Sequence, residues 1–411
     1  MPLRKGHSMK KIAILGYGTV GSGTVEVFYS NKEAFERKAG QELDIKYILE
    51  IRDCPDERYR DKFTKNFDDI INDPEIAIVV EVIGGIKFSY GYVKAALEAG
   101  KSVITSNKEL VAAKGAELLR IAEEHNVNFF FEASVGGGIP IVRPLTQCLS
   151  ANKVDEIAGI LNGTTNFILT KMIRDGMSFD EALKIAQELG YAERDPSADV
   201  EGHDTCRKIC ILASLAFGRH IYPDNIHTEG ITKITLEDVK YCESVNKVIK
   251  LIGFASEKDG KVSILTCPAV ISGDSQLAGV NDVFNAILVR GEATGDVVFY
   301  GKGAGKLPTA SAVVSDIVIA AKANGTSISM KWADSEQDFV NPVEALNHSF
   351  YVRAKAEKSA VQKLFGEVKY LCRENAPEGE IAFITDIINE KDFAEKSAKL
   401  DVLSSIRVLD Y

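Results

Sequence analysis

The sequence lacks the features of a secreted, membrane-spanning or nucleic-acid-binding protein. Its seven cysteines are odd in number and scattered, and none forms a CxxC pair or a cysteine–histidine cluster with zinc spacing. No apolar run approaches the ~18 residues that span a bilayer. The formal net charge is −10 and lysine and arginine are dispersed among carboxylates, so a polyanion would be repelled. We therefore expect no nucleic-acid or membrane partner and a reducing, cytoplasmic location.

The first eight residues, MPLRKGHS, also lack the apolar segment of a secretory signal, and we interpret them as a leader ahead of a start at Met9. Apolar content, by contrast, is ample: 45% of the 411 residues are hydrophobic. A chain of this length and composition is expected to form two or three domains rather than one.

The opening third alternates short apolar runs with amphipathic stretches, which is typical of a parallel sheet covered by helices. The predicted strands are Lys11–Leu15, Asp44–Ile51, Ala77–Ile83, Ser102–Thr105 and Asn128–Glu132, and the predicted helices start near Val20 and span Leu110–His125. This pattern predicts an α/β, Rossmann-type nucleotide-binding domain over residues 9–140. A second glycine cluster and an apolar helix predict that residues 303–325 complete it.

Residues 141–302 mix helices with strands, which predicts an α+β domain with helices on one side of a mixed sheet. The predicted helices are Asn166–Arg174, Phe179–Leu189, Gly202–Phe217 and Leu236–Ile252, and the predicted strands are Val154–Leu161, Val262–Thr266, Ile287–Val289 and Val297–Tyr300. Residues 345–411 repeat a strand–helix rhythm: Phe350–Ala356, Ser359–Val368, Glu380–Thr385, Lys391–Leu400 and Ile406–Tyr411. With a further strand at Tyr370–Glu374, this segment would form a ferredoxin-like unit.

A dinucleotide site is predicted at Gly16-Tyr17-Gly18-Thr19-Val20-Gly21, a GxGxxG run that follows a strand and opens a helix. In that context the glycines allow a tight turn, close approach of a pyrophosphate and close helix–strand packing, and the helix N-terminus offers free N–H groups. The second strand ends Glu50-Ile51-Arg52-Asp53. A carboxylate there would hold a ribose hydroxyl of NAD and an arginine the 2′-phosphate of NADP. Arg52 favours NADP, and NAD remains open.

Carboxylates are concentrated between Gly190 and Lys208, just before an apolar helix. Acidic residues at such a place are commonly helix caps, which accounts for one or two of them, such as Asp199 or Glu201. Asp204 and Lys208 lie four residues apart and therefore share a helix face. Taken alone, such a pair is usually a weak surface ion pair.

Several segments in series resemble homoserine dehydrogenases over roughly residues 10–325: Glu81–Gly85, Thr105–Lys108, Glu132–Pro140, Gly159–Asn166 and Gly190–Lys208. The C-terminal segment resembles, more weakly, an ACT regulatory domain. The resemblance implies NAD(P)-dependent interconversion of L-aspartate 4-semialdehyde and L-homoserine, in threonine, methionine and isoleucine biosynthesis. It also implies that residues 141–302 are the catalytic and dimerisation domain, so that the protein is a homodimer through this domain, or a tetramer if ACT domains pair.

The resemblance further implies roles for individual residues. They are Lys208 as proton donor and acceptor, Lys108 as a contact of cofactor and substrate, Glu193 and Asp204 as ligands of the substrate ammonium group, Gly190, Gly303 and Gly305 as cofactor contacts, and Glu132 with the backbone carbonyls of Val135, Gly137 and Ile139 as ligands of a sodium ion. The chemistry agrees, because hydride reaching an aldehyde builds alkoxide charge that an ammonium can neutralise. One departure is Cys206-Arg207 before Lys208, where the family usually has a small residue and a histidine. We expect Arg207 to face away.

Three alternative functions require different residues or chemistry. An aspartate-semialdehyde dehydrogenase needs a cysteine activated by histidine, and Cys148 has no histidine near it in sequence. An oxidoreductase acting on another small carbonyl compound is a second possibility. The third is a non-catalytic regulatory protein that binds a cofactor and an amino acid, which would have no reason to keep Lys208, Asp204 and Glu193 together. For the terminal unit, threonine binding at paired ACT domains and ligand-free dimerisation both stay open.

Overall fold

The computed structural model describes residues 9–323, 326–328 and 330–410. The leader interpreted at residues 1–8 and Tyr411 at the end of the last predicted strand lie outside the described residues. The chain divides into two compact units. The first contains residues up to Ala151, Cys210–Tyr222 and Lys302–Ser335, and the second contains Asn152–Ile209, Pro223–Gly301 and Glu336 onward.

The strands, in chain order, are β1 (Lys10–Leu15), β2 (Leu43–Leu49), β3 (Phe63–Thr64), β4 (Ile76–Glu81), β5 (Ser102–Thr105), β6 (Phe129–Phe130), β7 (Val154–Ile160), β8 (Lys247–Lys258), β9 (Lys261–Ser272), β10 (Phe284–Gly291), β11 (Gly295–Lys302), β12 (Asn347–Lys355), β13 (Lys369–Leu371), β14 (Glu380–Ile384), β15 (Ile388–Asn389) and β16 (Asp401–Val408). The α-helices are α1 (Thr19–Ser30), α2 (Lys32–Ala39), α3 (Asp68–Ile71), α4 (Ser89–Glu98), α5 (Lys108–Glu124), α6 (Gly163–Asp175), α7 (Phe179–Glu188), α8 (Ser197–Val200), α9 (His203–Phe217), α10 (Leu236–Glu243), α11 (Lys306–Ala323), α12 (Lys358–Phe365) and α13 (Glu390–Ser397). Within the described ranges, no helix combines the length and apolar character needed to cross a bilayer.

The first unit contains a six-stranded parallel sheet in the order β3-β2-β1-β4-β5-β6. The central strands are buried on both faces, as parallel strands covered by helices are; Ile12–Leu15 and Ile78–Glu81 expose almost nothing. The Rossmann-type fold predicted from the alternation of apolar runs is confirmed. Helix α11 packs against α1 where Gly23 closely approaches the backbone of Lys306. The segment Lys302–Ser335 therefore belongs to this unit.

The second unit has a sheet in the order β11-β10-β7-β8-β9, with α6, α7 and α10 contributing to the apolar core beside it. Here one prediction was wrong. Leu236–Ile252 was expected to be a single helix, but α10 ends at Glu243 and the apolar residues that follow belong to β8. Asn246 has a φ of 55°, which breaks the helix. β8 then pairs along its whole length with β9 across Asp259-Gly260, both at positive φ, a turn that favours hairpins.

The C-terminal segment forms a β-α-β-β-α-β unit with strand order β16-β12-β14-β13, which is a ferredoxin-like arrangement. The fourth strand predicted near Tyr370 is present as β13. The last strand begins at Asp401, five residues before the predicted start at Ile406. At its end, Arg407 and Val408 pair in parallel with Ala269 and Val270 of β9. The terminal sheet therefore continues the sheet of the second unit.

Buried polar side chains reinforce this continuity. Arg353 on β12 donates to Asp238 of α10 (2.9 Å) and to Glu380 (3.1 Å), and its side chain is 8% exposed. Arg407 bonds both oxygens of Glu390 and also Glu229. Breaking one partner of a buried ion pair is costly because the other charge stays desolvated. The C-terminal segment is thus built into the second unit.

Candidate active site

The glycine turn of the first unit has the geometry that a dinucleotide requires. Gly16 has a φ of 99°, a conformation that side chains rarely adopt, and a Cβ on Gly21 would collide with the carbonyl oxygen of Gly16. A Cβ on Gly18 would meet nothing within 4 Å, so the backbone there is open to an approaching group. Gly18 is the N-cap of α1 and no side chain caps this end. The N–H groups of Thr19 and its successors therefore lie at an exposed, electropositive helix end.

The end of β2 presents a carboxylate and a guanidinium together. Glu50, one residue past the strand, accepts hydrogen bonds from the N–H groups of Tyr17 (3.1 Å) and Arg52 (3.1 Å). Nη2 of Arg52 donates to Glu50 (2.8 Å) and to the carbonyl oxygen of Tyr17 (2.8 Å). The guanidinium lowers the pKa of Glu50 to about 2. Asp53 is exposed and pairs with Lys65. Of the two carboxylates at this strand end, Glu50 rather than Asp53 contacts the glycine turn.

A second buried carboxylate, Glu81, organises the ends of β4 and β5. One oxygen accepts the N–H groups of Ile83 (2.8 Å) and Gly84 (3.1 Å) and the hydroxyl of Ser89 (2.9 Å). The other accepts the hydroxyl of Thr105 (2.6 Å). The predicted Lys108 is the first residue of α5, whose N-cap, Asn107, accepts from the N–H of Leu110. Lys108 therefore lies at the carboxyl edge of the sheet, where ligands bind in such folds.

The loop predicted to hold sodium packs on the second glycine cluster of the same unit. The N–H of Gly138 donates to the carbonyl oxygen of Lys302 (3.0 Å), and Gly137, at a φ of 57°, lies so close to Gly303 that a Cβ would clash. Gly305 has a φ of 130° just before α11. The structure therefore brings together two glycine-containing segments that lie far apart in sequence.

The carboxylate of Glu132 is used by the chain itself. It accepts the N–H groups of Ile141 (2.6 Å), Val142 (2.8 Å) and Arg143 (2.9 Å), and Nε of Arg143 (2.9 Å). Four donors on two oxygens leave no favourable approach for a cation, so the carboxylate does not fit the predicted ligand role and only the main-chain carbonyl of Glu132 remains for it. Within the described residues there is also no cluster of three or more His, Cys, Asp or Glu side chains of the kind that binds a metal ion.

In the second unit, Asp204 and Lys208 are buried together at the start of α9, with 2% and 7% of their surfaces exposed. Nζ of Lys208 donates to Oδ2 of Asp204 (2.8 Å) and to the carbonyl oxygen of Leu161 (2.8 Å). A surface ion pair is worth little, but a buried ammonium fixed by two acceptors is held in one geometry. The pair predicted from its spacing is therefore present and buried.

Sequence reasoning missed Asn162 as a member of this cluster. Its amide nitrogen donates to Asp199 (2.7 Å) and to Asp204 (2.8 Å), while its oxygen caps α6 at the N–H of Thr165 (2.9 Å). The strand–Asn-Gly–helix sequence signals an N-cap, but it does not reveal what the amide nitrogen contacts. Asp199, interpreted as a helix cap, is also a partner in the cluster.

Two other predicted residues of the acidic segment, Gly190 and Glu193, are exposed rather than buried. The Glu193 side chain is exposed, and its carbonyl oxygen accepts from Nε2 of Gln187 (3.1 Å). Gly190, at a φ of 74°, forms the turn after α7.

Comparisons with known proteins find the same family for both parts of the chain. The sequence model described as homoserine dehydrogenase matches residues 140–318, and that of the homoserine dehydrogenase NAD binding domain matches residues 16–132. The homoserine dehydrogenase of Bacillus subtilis is 36% identical over 416 residues, which cover 97% of this chain and 96% of the relative. That of Pseudomonas aeruginosa is 40% identical and covers 84% and 82%.

Solved structures lead to the same family. The crystal structure of a homoserine dehydrogenase from Thiobacillus denitrificans has a TM-score of 0.89 at 34% identity and covers 98% of this chain and 99% of that one. A hyperthermophilic archaeal homoserine dehydrogenase in complex with NADPH has a TM-score of 0.65 at 30% identity and covers 76% and 98%. Similarity of sequence and fold over almost the whole length leads to one conclusion: the chain belongs to the homoserine dehydrogenase family.

Proposed function

We propose that this NAD(P)-dependent homoserine dehydrogenase uses Lys208 as the proton donor when L-aspartate 4-semialdehyde is reduced to L-homoserine, and as the base in the reverse reaction. The observation that carries the proposal is the burial of the Lys208 ammonium between Asp204 and the carbonyl oxygen of Leu161. A bound nicotinamide supplies the hydride to the aldehyde carbon. The oxygen gains negative charge as that bond forms, and a preorganised ammonium stabilises the charge and then delivers its proton.

The carboxylates around Lys208 suit the other end of the substrate. Homoserine and aspartate semialdehyde both carry an α-ammonium group, and we propose that Asp204 and Glu193 bind it. Asp204 is anchored by Asn162 and Lys208, whereas Glu193 lies on the exposed turn after Gly190. An exposed carboxylate can follow an entering ligand, so we assign substrate capture to Glu193 and orientation to Asp204.

The assignment of Lys208 is tested by comparing Lys208→Ala with the neighbouring Arg207→Ala, using oxidation of the reduced nicotinamide as the assay. We expect kcat of Lys208→Ala to fall by about 10² to 10⁴, the usual contribution of a general acid. Cofactor binding, followed by nicotinamide fluorescence, should stay intact in both variants. If Lys208→Ala binds the cofactor more weakly but keeps a normal kcat, Lys208 does not take part in proton transfer.

For the cofactor we propose a preference for NADP, with Arg52 holding the 2′-phosphate. Arg52 is 57% exposed on its side chain and needs only to turn from Glu50 to meet an anion. The related archaeal homoserine dehydrogenase is in complex with NADPH, which is consistent with this choice. The competing interpretation is that Glu50 binds a ribose hydroxyl and favours NAD. We further propose that Gly16, Gly18, Thr19, Val20 and Gly21 bind the pyrophosphate.

The same proposal gives Lys108, Gly190, Gly303 and Gly305 to the cofactor. A sodium ion held by backbone carbonyls of Val135, Gly137 and Ile139 is also proposed. All three residues are buried, and within the described part of the chain none of these carbonyls accepts a hydrogen bond. Buried carbonyls are nearly always satisfied, and a hard cation takes oxygen ligands. Thermal unfolding in sodium against tetramethylammonium chloride at equal ionic strength tests the site, because only a bound ion raises the midpoint.

We propose that residues 9–140 with 303–325 form the nucleotide-binding domain and that residues 141–302 form the catalytic domain. We further propose that residues 345–411 are an ACT domain. This domain would bind threonine between paired copies, in a homodimer or homotetramer. The ferredoxin-like strand order supports the ACT assignment. Deleting this segment would remove Arg353 and Arg407, the buried partners of Asp238 and Glu229, so threonine binding is tested on the intact chain. Threonine should then lower kcat and change the sedimentation profile. If neither kcat nor the sedimentation profile responds, a dimerisation module without a ligand is favoured.

The seven free cysteines are consistent with the cytoplasm.

A further inference from the structure

Asn162 occupies the point where two structural roles meet in the second unit. It is 5% exposed and stands between β7 and α6. Its side-chain oxygen accepts hydrogen bonds from the N–H and the hydroxyl of Thr165 (2.9 and 3.1 Å), which is ordinary helix capping. A serine or an aspartate at this position would cap the helix about equally well. Capping alone therefore does not explain an asparagine.

The amide nitrogen is what only asparagine provides among these caps. Its two hydrogens go to two different carboxylates, Oδ1 of Asp199 at 2.7 Å and Oδ2 of Asp204 at 2.8 Å. A neutral donor between two anions offsets part of their repulsion and fixes the distance between them. Oδ2 of Asp204 is also the atom that receives the ammonium of Lys208 (2.8 Å). Amide and ammonium thus converge on one oxygen.

We propose that Asn162 is a positioning residue for the proton transfer of Lys208, an inference that rests on the proposed function. By holding Oδ2 of Asp204, the amide fixes the direction in which that carboxylate faces Lys208. The adjacent carbonyl of Leu161 accepts the same ammonium (2.8 Å), so residues 161 and 162 supply one direct and one indirect restraint on a single nitrogen. The amide also holds the carboxylates of Asp199 and Asp204 in fixed positions relative to each other.

The decisive variants keep the helix cap and change the donor. Asn162→Ser retains an acceptor for Thr165 but loses both amide hydrogens. We expect its kcat to fall by about 10- to 100-fold, the loss typical of hydrogen bonds to charged groups. KM for the cofactor should stay within about 2-fold. Asn162→Asp also retains the cap, but adds a third carboxylate. Since nearby negative charge favours the protonated amine, the alkaline limb of its kcat profile for semialdehyde reduction should move to higher pH by about one unit.

A matched control separates positioning from stability. Asn389 likewise caps a helix, α13, through Lys391, but it donates its amide to a neutral acceptor, the carbonyl oxygen of Leu346 (3.1 Å). Asn389→Ser should change the melting temperature about as much as Asn162→Ser does and leave kcat and the pH profile unaltered.

The outcomes separate two possible failures. If Lys208→Ala loses turnover while Asn162→Ser keeps a parental kcat and Asn162→Asp a parental pH profile, Asn162 is merely a cap and the inference is overturned. If Lys208→Ala keeps turnover, the proposed function of Lys208 falls and this inference with it. The expected result is a loss of turnover in both Lys208→Ala and Asn162→Ser, with the kcat of Asn389→Ser unchanged.

Discussion

Replacing the buried lysine Lys250 by methionine should change how the stability of this protein depends on pH. Lys250 lies on β8 with 1% of its surface exposed, and its ammonium donates to Asn166 Oδ1 (3.2 Å) and to the carbonyl oxygen of Val280. Burial is the main reason that its pKa falls from 10.5 to about 8, with the positive charge of Arg174 adding to the effect. The pKa of Lys250 in the folded protein therefore lies about 2.5 below its ordinary value.

The sign follows from which state keeps the proton. Between about pH 8 and 10.5 the native lysine has lost its proton and the unfolded one has not. Because the unfolded state binds more protons there, the free energy of unfolding rises with pH across this window and is independent of this group below it. At 1.36 kcal/mol per pKa unit, the gain between pH 7.5 and 10 amounts to about 2 kcal/mol.

Urea unfolding, followed by circular dichroism at several pH values, measures this gain as a difference. The stability of the parent relative to Lys250→Met should rise by about 2 kcal/mol from pH 7.5 to 10, since all other groups titrate alike in both proteins. Lys247→Met is the matched control, on the same strand but only half-buried. It should track the parent throughout. A difference that stays constant with pH for Lys250→Met would show that the ammonium is hydrated and the reasoning incorrect.

Three further predictions follow from the first unit. Arg52→Ala should raise KM for NADPH by about 10- to 100-fold and KM for NADH by less than about 3-fold, measured by initial rates, because only the former has a phosphate for the guanidinium to bind; equal effects would argue for Glu50 as the cofactor ligand. Burial raises the pKa of Asp316 to about 7, so the folded protein keeps this proton at pH values where the unfolded chain has lost it. The free energy of unfolding should therefore fall by roughly 3 kcal/mol as pH rises from 4 to 7, and urea unfolding of Asp316→Asn should lack this decrease. Gly21→Ala should weaken cofactor binding by at least about 10-fold in a fluorescence titration, because its Cβ would collide with the carbonyl oxygen of Gly16; near-parental binding would contradict the rigid turn.

Local sequence patterns predicted much of the architecture correctly. The parallel strands of the first unit are nearly all apolar, and the glycine run after β1 has a spacing with a defined backbone requirement. The Asp204–Lys208 pair was also predictable, because four residues make one turn of any helix. Such features depend on residues close in sequence, and a local rule is enough to find them.

Features that depend on long-range contacts escaped prediction. The apolar run after α10 suits a helix or a strand, and only its pairing with β9 decides for β8. The amide of Asn162 meets Asp204 across 42 positions of sequence, and Arg407 meets Glu229 across 178. The burial of Lys250 has the same origin.

The sequence by itself determined the family, the nucleotide turn and the spacing of the Asp–Lys pair. Each of these features depends on short segments of residues that are close together in the chain. Tertiary structure alone decided which charges are buried, which carboxylates share a donor, and that the last strand extends the sheet of the second unit through β9. The physical reason is that desolvation and hydrogen-bond partners arise only when distant segments pack together, and these are what turn ordinary polar residues into a site.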